Sequence, residues 1–178
     1  MVGQDIVMLL KLSLQRESRV LSKKLANELF LSPSEISKSL HRCREAGLLY
    51  WTDLEKRVNR PALLELLSHG LRYVFPPEKG GLTRGIPTAT AVEPLKAYFP
   101  ANTEPPPVWP YAEGTVRGFS FSPLYRSVPQ AALLDKELYK LLALCDAIRD
   151  GRARERTLAI HLLEKALNNG VRSESPTS

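Results

Sequence analysis

The chain has 178 residues, of which 43% are hydrophobic and 25% are charged, and its formal net charge is +6 with a pI near 9.4. This content is ordinary for a globular protein, and no apolar run approaches the length of a membrane span. The N-terminus lacks the layout of a signal peptide, so we expect a cytoplasmic protein without membrane contact. The basic excess favours a polyanionic partner.

The first predicted helix runs from about Gln4 to Leu14, and a shorter helix follows, for which Ser22 is the expected N-cap and Ser18 a competing start. The first helix has more apolar residues than one face of a small domain requires. We therefore expect part of its surface to pack against the C-terminal helices or against a second subunit. In the second helix, Ala26 would let the next helix approach closely.

A third helix has clear signals for its start and its end. Ser32 is a good N-cap, and Glu35, three residues later, can complete a capping box around Pro33. Gly47 can take the left-handed conformation that ends a helix. Its core-facing residues recur at three- and four-residue spacing and are Ile36, Leu40 and Cys43.

A short two-stranded hairpin is predicted next, from residues 48–51 and 58–60, with Lys56 and Arg57 near its tip. A fourth helix is predicted at about Pro61–Leu71, where the leucines again exceed a simple amphipathic stripe. This excess also predicts burial by the rest of the chain or by dimerisation.

The region from about residue 4 to residue 71 resembles the winged helix-turn-helix domain of bacterial transcriptional regulators, the MarR-like and related groups. The residues that carry the resemblance are LAxxLxLSPSEISKSLxRxxEAGLL, from Leu25 onward. The hairpin after them would be the wing, although it is shorter than in the family. The resemblance implies binding to double-stranded DNA with the third helix in the major groove.

Side chains suited to DNA stand on the second and third helices and on the hairpin. Arg and Lys can read guanine edges or hold phosphates, and Ser can serve either purpose. Base contacts are expected from Ser34, Ser37, Lys38, His41 and Arg42. Phosphate contacts are expected from Lys23, Lys24, Arg44, Lys56 and Arg57. Residues 1–72 hold twelve Lys or Arg against eight Asp or Glu, so the basic excess lies mostly here.

Residues 73–129 form a distinct segment that contains eleven of the fourteen prolines and most of the aromatic residues. Such proline density excludes long helices, whereas disordered linkers are poor in aromatic residues. We therefore expect an ordered, irregular arm that lies over its own domain or a neighbour's. Within it, Lys79–Gly85 lacks the GxxxxGK[ST] pattern of a phosphate loop. We expect a flexible basic turn there, which contacts phosphate through Lys79 or Arg84 or seats against a partner protein.

The helical period returns over residues 130–168. Ala131–Asp150 and Arg154–Leu167 predict two antiparallel helices joined at Gly151, with an apolar content that suits packing or dimerisation. Residues 169–178 are expected to form a disordered tail.

Residues that could carry catalysis or bind metal are few and scattered. Cys43 and Cys145 form no CxxC pair and no Cys/His cluster of zinc spacing, so we expect two buried, reduced thiols. A redox-sensing role for Cys43 is the alternative. The histidines, His41, His69 and His161, lie far apart, and no nucleophile elbow or HExxH motif occurs. The sequence thus predicts no enzyme, no metal and no cofactor.

Taken in order, the sequence predicts a mainly α protein in four parts. These are a winged helix-turn-helix domain at 1–72, a proline- and aromatic-rich arm at 73–129, a C-terminal helical hairpin at 130–168 and a tail at 169–178. The predicted function is DNA-binding transcriptional regulation, as a repressor or autoregulator, by a homodimer. The alternative is a protein-interaction module, such as an antitoxin-like protein that binds its partner through the arm. A DNA-binding antitoxin would combine both functions.

Overall fold

The structure is a computed structural model that describes residues 1–16, 19–52, 54–100 and 104–169. Of the described residues, 57% are helical, and the strands form a two-stranded sheet and a closed three-stranded barrel. The protein is therefore mainly helical with two small sheets. None of the described helices is both long and apolar enough to cross a membrane.

Helix α1 (Gly3–Leu14) lies at the centre of the molecule. Its residues from Gly3 to Ser13 are all buried, which accounts for the excess of apolar residues in its sequence. It packs against α3 (Pro33–Glu45) on one side and against α7 (Lys136–Asp150) on another. The C-terminal part of the same chain therefore covers the helix, as one of the two predicted arrangements requires.

Helix α2 (Ser22–Leu29) leads into α3 through a turn at Phe30. Phe30 adopts the left-handed conformation, with φ 53°, where many such turns carry glycine. The prediction that Ser22 caps α2 is wrong, because Leu21 is the N-cap and no side chain of the described residues caps the helix. Ser18, the alternative start, lies outside the described residues.

The signals at the ends of α3 are confirmed. The Ser32 hydroxyl accepts a hydrogen bond from the Glu35 backbone N–H, and the Glu35 carboxylate accepts one from the Ser32 N–H. Gly47 adopts φ 72° after the helix. The chain then pairs β1 (Leu49–Trp51) with β2 (Lys56–Val58) as an antiparallel hairpin. The second strand begins two residues earlier than predicted, while Lys56, paired with Trp51 beside the turn, and Arg57 lie near the tip as predicted.

The fourth predicted helix is confirmed and is longer than expected. It consists of α4 (Arg60–Glu65), a π-helical turn at Leu66–Gly70 and α5 (Leu71–Val74). The side chain of Asn59 caps its start by accepting a hydrogen bond from the Ala62 N–H.

The proline-rich segment is ordered, but the expected irregular arm is instead a small barrel. Strand β3 (Lys79–Pro87) pairs antiparallel with both β4 (Pro107–Pro110) and β5 (Val116–Phe121), and β4 pairs with β5 in parallel. The prediction of a flexible turn at Lys79–Gly85 is therefore wrong, because this stretch is most of β3. Prolines at both ends of β4 are compatible with so short a strand, since proline is tolerated at strand ends and edges.

Two glycines allow the barrel to close. A Cβ on Gly85 would lie 2.0 Å from the Trp109 carbonyl oxygen, and a Cβ on Gly118 would lie 2.1 Å from that of Pro106. Both distances are far below van der Waals contact. Strand β4 can therefore cross the β3–β5 pair only because these two positions lack a side chain.

The C-terminal region, as far as the structure describes it to residue 169, contains three helices rather than the predicted two. They are α6 (Val128–Leu134), α7 and α8 (Ala153–Asn169), with the expected break at Gly151. The extra break comes at Asp135, whose carboxylate accepts hydrogen bonds from the N–H groups of Glu137 and Leu138 and so caps α7. The predicted disordered tail at 169–178 lies, apart from Asn169, outside the described residues.

A buried carboxylate joins the barrel to α7. Asp146 on α7 accepts hydrogen bonds from the Thr88 hydroxyl at 2.6 Å, from the Trp109 indole at 2.7 Å and from Arg149 at 2.7 Å. Arg149 also donates to the carbonyl oxygens of Phe75 and Ser122, which precede and follow the barrel. The three predicted segments consequently share one hydrophobic core.

Candidate nucleic-acid interface

Helix α3 has one face in the core and one face in solvent. The buried face consists of Ile36, Ser39, Leu40 and Cys43. The exposed face carries four of the five residues predicted to contact bases, which are Ser34, Ser37, Lys38 and His41. None of these four makes a side-chain hydrogen bond to a described residue, so their polar groups are available to a ligand.

A buried ion pair fixes the rotation of α3 about its axis. Asp5 of α1 is fully buried and accepts hydrogen bonds from the Ser39 hydroxyl at 2.6 Å and from Arg42 at 2.7 and 2.9 Å. Burial opposes ionisation of Asp5, but the hydrogen bonds from Arg42 and Ser39 outweigh it and hold the carboxyl pKa below its ordinary value. The carboxylate is therefore charged at neutral pH and ties α3 to α1.

This pair changes the role expected of Arg42. The guanidinium donates to both oxygens of Asp5, and its side chain is 30% exposed. An arginine held in this way cannot swing into a groove without leaving a buried carboxylate unpaired. Arg42 thus primarily anchors the helix. Its role differs from that of the four exposed residues, although all five were predicted to contact bases.

The N-terminal end of α3 is held by the segment between β5 and α6. The Glu35 carboxylate accepts hydrogen bonds from the Tyr125 hydroxyl at 2.7 Å and from Arg126 at 3.2 Å. The hydrogen bond from the Ser32 backbone N–H, followed by that from Tyr125, lowers the pKa of Glu35 to about 2. Arg126 itself is largely exposed, and its charge is paired with that of Glu35.

The hairpin meets the other end of α3 through Trp51. The indole lies edge-on to the His41 ring, with centroids 4.8 Å apart, and the Arg44 guanidinium stands 5.2 Å above it. Arg44 is exposed, and cation–π contact orients it without neutralising it. His41 and Arg44 therefore extend the exposed face of α3 towards the hairpin.

The other residues predicted to contact phosphates differ in their exposure and in their contacts within the protein. Lys23 and Lys24 are exposed in the first turn of α2. Arg57 is exposed and lies 5.5 Å from the Tyr50 ring. Lys56 is half-buried, and its ammonium donates to the Val20 carbonyl oxygen at 2.9 Å, so it first links the hairpin to the start of α2.

Sequence reasoning missed Tyr125 and Arg126. They lie ninety residues after Glu35 in a segment interpreted as part of an arm, and no motif marks them. Their hydrogen bonds to Glu35 exist only because the barrel returns the chain to the start of α3.

The cysteines are both buried, as predicted. Burial, the largest influence, raises the pKa of Cys43 to about 12, and burial also raises that of Cys145. A thiol of this kind is rarely ionised, which argues against redox sensing at Cys43. Within the described ranges, no group of three or more His, Cys, Asp or Glu side chains could hold a metal ion.

Comparison of the chain with known protein families, with curated proteins and with solved structures finds no match.

Proposed function

We propose that residues 1–74 form a winged helix-turn-helix and that the protein is a cytoplasmic, DNA-binding transcriptional regulator. The order of elements supports this fold, because three helices precede a short antiparallel hairpin and α2 and α3 are joined by a tight turn. In this arrangement α3 is the recognition helix and the hairpin of β1 and β2 is the wing.

The observation that carries the proposal is the exposed face of α3. Ser34, Ser37, Lys38 and His41 project from a helix whose opposite face is locked by Asp5. A rigid helix with free hydroxyl, ammonium and imidazole groups is suited to the donors and acceptors at base edges in the major groove.

Phosphate contacts would come from both flanks of α3. No described side chain caps the first turn of α2, so its N–H groups can bind an anion beside Lys23 and Lys24. Arg44 and Arg57 supply positive charge on the hairpin side. We further propose that the protein acts as a homodimer, which would place two recognition helices on successive major grooves.

The test is fluorescence anisotropy with a duplex from upstream of the protein's own gene and with a scrambled duplex, at low and at physiological salt. We expect Ser37→Ala/Lys38→Ala to lose about tenfold or more in preference for the native duplex, since each good base contact contributes about 1–3 kcal/mol. Lys165→Ala, on the exposed surface of α8, is the matched control and should bind like wild type. Arg42 is left intact because its loss would disturb the helix itself.

Equal binding to both duplexes that disappears with salt would contradict specific recognition and would indicate only a basic surface. A protein-interaction module would then be the better proposal. The structure offers one feature in its favour, since Leu133 and Leu134 at the end of α6 are 57% and 61% exposed. Adjacent exposed leucines are typical of a surface that a partner covers.

A further inference from the structure

The outer face of the barrel carries an unusual set of side chains. Strands β3 and β5 form a two-stranded ribbon in which Leu82 is paired with Phe119 and Arg84 with Arg117. All four side chains are exposed, whereas Gly85 and Gly118 face inward against β4. We call the outer face defined by Leu82, Arg84, Arg117 and Phe119 the ribbon face.

The positive charges of the two arginines on the ribbon face are not balanced by described acidic side chains. They stand directly opposite each other, an arrangement in which like charges repel and destabilise a sheet. Neither forms an ion pair with a described acidic residue. Two neighbouring arginines held in this way would be stabilised by an anionic partner with closely spaced charges.

Basic side chains connect the ribbon face with the start of α3. Lys79, at the beginning of β3, lines a cleft together with Ser120 of β5 and Arg126. Arg126 in turn contacts Glu35 in the first turn of α3. Lys79 is paired with Asp150 at 3.0 Å and Arg126 with Glu35 at 3.2 Å, so this cleft joins the start of α3 to the barrel without adding unbalanced positive charge.

We infer that the ribbon face is a second DNA-contacting surface, in which Arg84 and Arg117 bind phosphates or enter the minor groove. This inference rests on the proposed function. Ribbons of two strands are used by several proteins to contact DNA grooves, where apolar side chains press against sugars or base steps. Leu82 and Phe119 are exposed on the same face as the two arginines, where they would make such apolar contacts. The cleft that includes Lys79 and Arg126 places the barrel beside the start of α3, and this adjacency to the proposed recognition helix favours DNA over an acidic protein.

The inference is tested by the salt dependence of binding of the full chain to the scrambled duplex, because phosphate contacts are independent of sequence. Arg84→Ala/Arg117→Ala should make the slope of log K against log salt shallower by about two. Leu82→Ser/Phe119→Ser should weaken binding without changing the slope, since apolar contacts release no counterions. Lys140→Ala/Lys165→Ala removes the same charge from α7 and α8 and should leave the slope unchanged.

A single further variant separates binding from folding. Arg84→Glu creates an opposite-charge pair with Arg117, so it should raise or maintain the melting temperature while weakening duplex binding about tenfold or more. A slope unchanged in Arg84→Ala/Arg117→Ala would overturn the inference and leave the ribbon face to a protein partner. The slope test does not depend on the Ser37→Ala/Lys38→Ala variant. If that variant kept its preference for the native duplex, only the proposed recognition by α3 would be contradicted. Absence of duplex binding by the wild-type chain would overturn both.

Discussion

At the scale of single residues, the arginine at position 42 shows how one contact assigns a role. Arg42 and Lys38 are four residues apart on α3 and have the same formal charge. Lys38 points into solvent, whereas Arg42 donates from Nε and Nη2 to both oxygens of the buried Asp5. Lys38 is free to contact the proposed DNA ligand, and Arg42 holds the helix in position.

Arg42→Ala should therefore be a stability variant rather than a recognition variant. Removing the guanidinium leaves Asp5 buried without its counter-charge, and we expect a loss of about 3 kcal/mol in the free energy of unfolding, measured by urea denaturation. Asp5→Asn/Arg42→Ala should recover a substantial part, because the charge to be compensated is gone. Arg44→Ala, on the exposed side of the same helix, should change stability by about 0.5 kcal/mol or less. Equal effects of Arg42→Ala and Arg44→Ala would contradict the anchoring role.

At the scale of elements, the barrel depends on a close backbone crossing. The β3–β5 ribbon accepts β4 on its inner face only where it has glycine, and this leaves its outer face free for Arg84 and Arg117. The same geometry that closes the barrel thus creates the surface proposed for DNA.

Two glycines of this ribbon should differ strongly in their response to the same substitution. Gly118→Ala would place a Cβ 2.1 Å from the Pro106 carbonyl oxygen, so we expect a loss of roughly 3 kcal/mol or more, as overpacking against rigid backbone displaces β4. A Cβ on Gly81 would meet no atom within 4 Å, and Gly81→Ala should change stability by about 0.5 kcal/mol or less. Thermal unfolding followed by circular dichroism gives the comparison. Similar melting temperatures for the two variants would show that β4 does not cross as described.

At the scale of the whole molecule, the segments recognised in the sequence are not independent units. Helix α7 packs against α1, α5 and α8, and Asp146 on it binds Trp109 in the barrel. The core of the N-terminal helices is therefore completed by helices from the other end of the chain.

Trp109→Phe should weaken the whole molecule rather than the barrel alone. The substitution removes a hydrogen bond to a buried carboxylate and leaves a small cavity, with an expected cost of about 2–3 kcal/mol.

Trp51→Phe, at a half-buried position, should cost less than about 1 kcal/mol, and it leaves Trp109 as the sole fluorescent tryptophan. In that variant, unfolding followed by fluorescence and by far-ultraviolet circular dichroism should coincide. Separate midpoints would mean that the barrel and the helices unfold independently.

Local signals in the sequence were sufficient to predict several features of the fold. Ser32, Glu35 and Gly47 define α3 because capping depends on residues within four positions of one another. The buried and exposed faces of α3 also follow from its apolar spacing, and they yield the four exposed residues of the candidate interface. These features need no knowledge of distant contacts.

Other features were decided only by the tertiary structure. Strands β4 and β5 are short, the barrel strands contain glycine or proline, and β3 pairs with residues 21–42 positions away, so no local pattern marked them. The pairing of Arg42 with Asp5, and of Glu35 with Tyr125, depends on which helices meet. Sequence alone therefore determined the elements governed by neighbouring residues, whereas tertiary packing decided which charged side chains face solvent and which are held in the interior.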